Sequence, residues 1–427
     1  MSQKYKFPDW ACDKVVYEVN LRQFTQGGTI AEFRQHLPRL KDLGAGIFWF
    51  MPLQPIGIKN RKGTLGSYYS IRNYCELDPA YGTMTEFTDL VHEIHAMGIY
   101  VILDWVANHT AWDHHWVNEH PDFYRRNDAG EVMPPFPEWE DVIALDYSCV
   151  DLRKEMIRCM EFWIKTTGID GFRCDMAHLV PTSFWNEARA ALGNLKPVFM
   201  LAEAEIRELA IEAFDVLYNW NLHHVFNDVA QGKYSAREIR RRIPFEITDF
   251  PHGADNLLFI SNHDENSWNG SEIERLGLAL EAFAVLIFTL PGMPLVYSGM
   301  EAGNYRRLAF FEKDRIEWKE DKMAVLYTIL AQLRHQSPAL WSPRPNGKLV
   351  LFQTDHEDQI LAFRREQGAS SVVVILNLSA QVVNFTLQGS GYEGKYIDVI
   401  NQHMPVTFGI HPCFSMQGWG YYVLQGV

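Results

Sequence analysis

The chain has 427 residues, 47% of them hydrophobic, so a large core is affordable and two or three domains are the starting expectation. Lys and Arg number 39 against 53 Asp and Glu, a net charge of −14, which argues against nucleic acid or an anionic membrane surface as the main partner. That balance fits a neutral substrate.

In chain order, residues 15–21 are β-branched and aromatic and read as a strand. Ile30, Phe33, Leu37 and Leu40 recur at helical spacing, so 29–43 reads as a helix. Residues 47–50 form a short buried strand. A helix over 84–97 opens on Thr83 as N-cap and closes at Gly98. Residues 99–106 are nearly all apolar, as a parallel strand covered on both faces must be. The alternation then pauses over 110–146, where Pro121, Pro134, Pro135, Pro137 and Gly130 stand among aromatics and charges. A loop of that length inside a compact domain is usually functional. An amphipathic helix over 151–167 ends at Gly168, and strands follow at 171–174, 198–202, 215–218, 257–261 and 295–297.

Eight strand–helix units in sequence predict an α/β fold, a (β/α)8 TIM barrel with a short excursion after its third strand. A doubly wound sheet is the runner-up, but no Gly-rich phosphate loop follows the first strand. From about residue 340 the helical pattern stops. Residues 349–352, 360–364, 371–378, 382–387 and 421–424 are strand-like, which predicts a C-terminal all-β sandwich domain. The expected division is a catalytic barrel at 1–109 and 147–338, an inserted B domain at 110–146 and the β domain at 339–427.

The six cysteines show neither CxxC pairs nor metal-ligand spacing and read as free thiols of a reducing compartment. The N-terminal residues lack an apolar signal-peptide core, and no segment reaches the ~20 apolar residues of a membrane span. A cytoplasmic location is expected, the alternative being a mature secreted or periplasmic chain that has lost its signal peptide. Aromatic residues make up 13% of the chain; their ring faces pack cores and also stack on the C–H faces of sugars.

Three carboxylates stand out, each predicted to close a strand. Asp175 lies in GFRCD (171–175), Glu203 in MLAE (200–203) and Asp264 in FISNHD (259–264). Asp104, in DWVANH (104–109), has the same placement. Catalytic groups of a barrel enzyme sit at the C-terminal ends of strands. Two carboxyl groups in opposite protonation states are what cleavage of an acetal needs. Arg173, two residues before Asp175, projects to the same side of the strand and can hold that acid anionic.

With GMPLVYSGME (292–301) and DPAYGT (78–83), these motifs resemble the α-amylase family of retaining glycoside hydrolases, in order and over nearly the whole length. The resemblance implies Asp175 as nucleophile, Glu203 as general acid and then base, and Asp264 as the group that favours a distorted sugar ring. It implies substrate binding by Arg173, His263, His109 and Tyr69, with Tyr68 the rival for the stacking platform, and a supporting role for Asp104. No cofactor is implied for the chemistry. A structural Ca2+ is allowed, with Asn108 as one ligand. Many members carry Lys then His three and four residues beyond the nucleophile. Here those positions are His178 and Leu179, so His178 is the candidate for the reducing-side subsite. The implied function is retaining hydrolysis of α-1,4-glucosidic bonds in starch-like glucans or maltooligosaccharides through a covalent glycosyl–Asp intermediate. The alternatives are a cyclomaltodextrinase, an α-glucosidase or an α-glucan transglycosylase. A non-catalytic binding subunit would have lost catalytic carboxylates, and all three are present. Oligomeric state is left open.

Overall fold

The structure, a computed structural model, describes residues 5–427 except 249, 252, 344–346 and 402. Eight parallel strands close a barrel: β1 (Val16–Val19), β2 (Ile47–Phe50), β3 (Tyr100–Trp105), β4 (Gly171–Cys174), β5 (Phe199–Ala202), β6 (Val216–Tyr218), β7 (Asp255–Leu258) and β8 (Met293–Tyr297). Closure comes from pairing of β1 with both β2 and β8. Side chains alternate across each strand. Val16, Ile47, Ile102, Leu201, Val216 and Leu257 fill the barrel interior, while Tyr17, Phe48, Leu103, Met200, Leu217 and Leu258 belong to the layer under the helices. The same parity turns Glu18, Trp49, Asp104, Arg173 and Tyr218 inward. Cys174 and Ala202 face outward into packing.

Local differences from the sequence reading have physical causes. The helix read over 29–43 is two, Ile30–Arg34 and Leu37–Leu43. Pro38 sits in the first turn of the second helix, where it has no N–H to continue the first. The strand read over 257–261 is Asp255–Leu258. Beyond it the carbonyls of Phe259 and Ile260 are taken by the His223 and Arg275 side chains instead of a ladder.

The excursion is anchored by a two-stranded antiparallel pair, His109–Ala111 with Val142–Ala144, with two short helical turns between. The C-terminal region is one continuous eight-stranded antiparallel sheet over 348–426, folded on itself into the expected sandwich. Its edge strands Met404–Phe408 and Cys413–Met416 meet through Phe408 and Phe414, ring centroids 5.3 Å apart. One face packs Leu361, Phe363, Val372 and Val374 into the same core as the barrel helices. Arg365 donates to the Thr289 carbonyl and Arg240 to that of Phe352, which ties the two regions further. Among the described residues no helix is long and apolar enough to cross a membrane.

Candidate active site

The register of β3, β4 and β5 builds the centre of the site. Asp104 pairs with Arg173, Arg173 with Leu201 and Cys174 with Ala202. One residue further, Asp175 N donates to the Trp105 carbonyl and Glu203 N to the Cys174 carbonyl, both at 3.0 Å. Asp175 and Glu203 therefore stand side by side on strands about 4.8 Å apart. Gly171, which starts β4, permits this approach: a Cβ there would lie 1.8 Å from the Phe199 carbonyl oxygen.

Arg173 is fully buried beneath the pair. Its Nη1 donates to Asp104 Oδ1 at 3.0 Å and Asp175 Oδ1 at 3.1 Å. Its Nη2 lies 3.0 Å from Glu203 Oε2, in ion-pair rather than hydrogen-bond geometry. Trp49 and Tyr218 rings enclose the guanidinium carbon at 4.9 and 5.5 Å. The expectation that Arg173 binds substrate is corrected here: a guanidinium with no exposed surface reaches no sugar, and it positions carboxylates instead. Nor does it simply hold Asp175 anionic. Burial pushes the Asp175 carboxyl well up, Glu203 beside it pushes the same way, and Arg173 offsets only part.

Glu203 Oε2 also accepts the Met176 backbone N–H at 2.9 Å. Met176 adopts a left-handed conformation, φ 42° and ψ 42°, strain of the sort that collects at functional turns. The turn aims that N–H at the acid.

A second chain of polar contacts crosses the barrel. Burial opposes a charge on His263, but Asp264 and Glu18 outweigh it and raise its pKa well above the usual imidazole value. The protonated ring donates from Nδ1 to Glu18 and from Nε2 to the Tyr69 hydroxyl, 2.7 Å away, with Asp264 Oδ2 at 3.3 Å. Tyr69 passes the bond on to Asp104 Oδ2 at 3.1 Å, which Trp49 Nε1 also reaches at 3.1 Å. Burial raises the pKa of Asp264, and the charge and hydrogen bond of His263 more than reverse it, leaving the carboxyl below its ordinary value.

Asp264 does not close a strand. It lies six residues beyond the end of β7, at the N-cap position of the turn Glu265–Asn269, with its side chain 37% exposed to the cleft. Tyr69, Asp175, Glu203, Asp264 and His109 all line one cavity of about 490 Å³. Tyr68 is buried elsewhere, its hydroxyl on Asn20, so Tyr69 is the ring available to a ligand. Burial lowers His109 to a pKa of about 4, so it is neutral, with its Nδ1 3.3 Å from Asn108 Nδ2. His178 is exposed and lies apart from this cavity, in a smaller one shared with Met176, Glu203, Glu205 and Trp220. Glu205 is held on the Asn221 backbone N–H at 2.8 Å.

Asn108 Nδ2 faces His109 Nδ1, and no acidic cluster among the described residues marks a cation cage around it. Among the described residues no three His, Cys, Asp or Glu side chains gather as metal ligands. Three acids of the excursion are separately engaged: Asp113 takes the Ile58 N–H, Asp141 lies 3.4 Å from Lys62 Nζ, and Asp146 takes the Ser148 N–H. No step of the chemistry uses a metal.

The profile described as "Alpha amylase, catalytic domain" matches residues 7–131 and 138–346, and "Alpha amylase, C-terminal all-beta domain" matches 352–409. The chain belongs to the α-amylase family of glycoside hydrolases. It is 28% identical over 402 residues to alpha-amylase MalA of Haloarcula japonica, covering 88% of this chain and 57% of that protein. It is 24% identical to the maltogenic alpha-amylase of Bacillus acidopullulyticus, covering 93% and 75% of the two chains. Among solved structures, the maltogenic alpha-amylase AmyB from Thermotoga neapolitana superposes with a TM-score of 0.89 at 29% identity, covering 97% of this chain and 99% of that one. An alpha-amylase from Lactobacillus plantarum gives 0.84 at 26%, covering 98% and 100%.

Several residues of this amylase-family site escaped the sequence reading. Glu18 had a usable signal, an acid in the middle of a buried apolar strand. The Met176 N–H, Lys62, Trp139, Trp268 and Phe310, which all belong to or border the cleft, come from loops with no periodicity to read.

Proposed function

We propose that this chain hydrolyses α-1,4-glucosidic bonds in starch-like glucans or maltooligosaccharides with retention of anomeric configuration. The observation that carries this reading is the pair Asp175 and Glu203, adjacent in register and held by one guanidinium. Double displacement calls for carboxyl groups about 5–5.5 Å apart, and neighbouring parallel strands supply that spacing. Glu203 donates its proton to the glycosidic oxygen as the bond to the anomeric carbon breaks. Asp175 forms the new bond to that carbon. Glu203 then takes a proton from water, which attacks the same carbon and frees Asp175. Because the reaction needs one acid protonated and the other ionised at the same time, the rate should follow a bell-shaped pH profile.

The direction of the substrate follows from the same acids. The retained sugar lies against Tyr69, His109 and Asp264 in the larger cavity. The leaving group departs past Glu203 into the cavity of His178 and Trp220. On the retained side, Lys62 Nζ donates to the Glu138 carbonyl at 2.7 Å and pairs with Asp141. That contact bridges the loop after β2 to the excursion and bounds the cleft, which favours short chains or release of short products. Cyclomaltodextrins and transfer to a sugar acceptor remain within the same chemistry. The six unpaired thiols support a cytoplasmic location.

Asp175→Ala and Glu203→Gln should each remove hydrolysis of maltoheptaose while leaving the circular dichroism spectrum unchanged. Proton NMR of wild-type turnover should show the α-anomer first. Normal turnover by either variant, or the β-anomer first, rejects the assignment.

A further inference from the structure

A second cavity of about 560 Å³ lies next to the cleft, lined by Arg22, Arg61, Arg72 and Lys313. Asp78 is the one carboxylate in its lining, and that side chain accepts the Ala80 backbone N–H at 2.9 Å. Four cations against one anion is a strong local inversion in a chain of net charge −14. Like charges brought together repel unless something of opposite sign joins them.

Three of the cations also hold loops. Arg22 Nη1 donates to the carbonyls of Gly66 and Phe310 at 3.0 and 3.2 Å. Arg61 donates to the carbonyls of Gly57 and Ile56 at 2.7 and 3.1 Å. Lys313 Nζ donates to the carbonyls of Arg22 and Thr25. Carbonyls satisfy N–H groups and carry no net charge, so the positive field persists. Burial lowers the pKa of Lys313, Glu32 opposes that, and Arg22 adds to the lowering, so the two cations lie in each other's field. Glu32 itself is occupied with the Gly27 N–H at 2.7 Å.

Arg72 differs from the other three. Its backbone N–H pairs with the Pro55 carbonyl at 2.8 Å, but the guanidinium of this half-buried residue has no hydrogen bond or ion pair with any described residue. A planar fork of donors without a partner, at the wall of a cationic cavity, is what recognises a phosphate group bidentately.

We propose that this cavity binds a small phosphate-bearing anion through Arg72, with Arg22, Arg61 and Lys313 supplying the field. The space exceeds what one phosphate fills, so inorganic phosphate and a phosphate ester of a sugar share the required chemistry. The occupant would lie behind residues 56–66: Ile56, Arg61 and Leu65 line this cavity, and Lys62 lines the catalytic cleft. The proposal does not depend on the hydrolase reading.

Calorimetric titration at fixed ionic strength, with chloride as the comparison anion, tests it using inorganic phosphate and glucose 1-phosphate as probes. Saturable binding of at least one is expected for the wild-type chain. Arg72→Gln should weaken it at least tenfold, and Arg72→Lys should retain part of it. Tighter binding of the ester identifies a sugar phosphate as the occupant, and equal or tighter binding of the inorganic ion identifies free phosphate. Arg72 has no side-chain partner to lose, so the Gln variant should melt at the wild-type temperature without phosphate. Absence of saturable binding of both probes to the wild-type chain overturns the proposal, as does an unchanged dissociation constant in Arg72→Gln.

Discussion

Arg173 and His263 are the two cations beneath the cleft, and each is enclosed by acids and aromatic faces. Arg173 keeps its charge because Asp104, Asp175 and Glu203 converge on it. His263 keeps its charge because Asp264 and Glu18 outweigh burial. Glu18→Gln removes one of those two acids, so the folded-state pKa of the imidazole must fall. The protonated ring, and its donation to Asp264 and Tyr69, is then lost at lower pH than in the wild type. Each unit of that fall is worth about 1.4 kcal/mol, so kcat/KM on the alkaline side should drop roughly tenfold per unit. NMR titration of the His263 ring reads the shift directly, and an unchanged titration would contradict this account.

At the level of elements, strand parity explains why distant residues meet. Strands supply Glu18, Trp49, Asp104, Arg173 and Tyr218, all pointing inward, and the loops that follow add sugar-facing groups. The loop after β2 is the one that spans the cleft. Besides the Lys62 bridge, Leu65 N donates to the Phe311 carbonyl at 3.0 Å and Ile58 N to Asp113 Oδ2 at 3.0 Å. That loop is thereby fastened to the excursion on one side and to the segment after β8 on the other. Lys62→Ala opens the first fastening and leaves the carboxylates untouched. Time-resolved chromatography of maltoheptaose digests should show early products shifting to longer chains, with turnover of maltotriose within about twofold of wild type. An unchanged early distribution would remove Lys62 from the control of product length.

For the molecule as a whole, the contact between Asp13 and His335 joins the segment before β1 to the helix Lys322–Gln336. Burial raises the Asp13 pKa, but the hydrogen bond from His335 and the charge of Lys14 lower it to about 2. A carboxyl depressed on folding adds stability above its unfolded value near 4 and loses it as pH falls toward 2. Asp13→Asn should therefore cost up to about 2 kcal/mol at neutral pH, and the difference from wild type should shrink between roughly pH 4 and pH 2. Denaturant melts at several pH values measure this, and a pH-independent difference would refute the linkage.

The sequence by itself determined the barrel and the order of its strands. Buried parallel strands are continuous apolar runs, and an acid at the end of such a run is conspicuous. It also marked Asp175 and Glu203, because each directly follows a short buried strand that is apolar but for Arg173. Tertiary structure decided what has no local signal. The sheet strands over 394–398, 404–408 and 413–416 each bury only one or two residues, so no hydrophobic pattern announced them. The placement of Asp264 depends on His223 and Arg275 capturing two carbonyls, which ends β7 early. The burial of Arg173, the left-handed Met176 and the cationic cavity around Arg72 each arise where segments far apart in the chain come together. Periodicity records which face of a strand or helix is covered, but not what covers it.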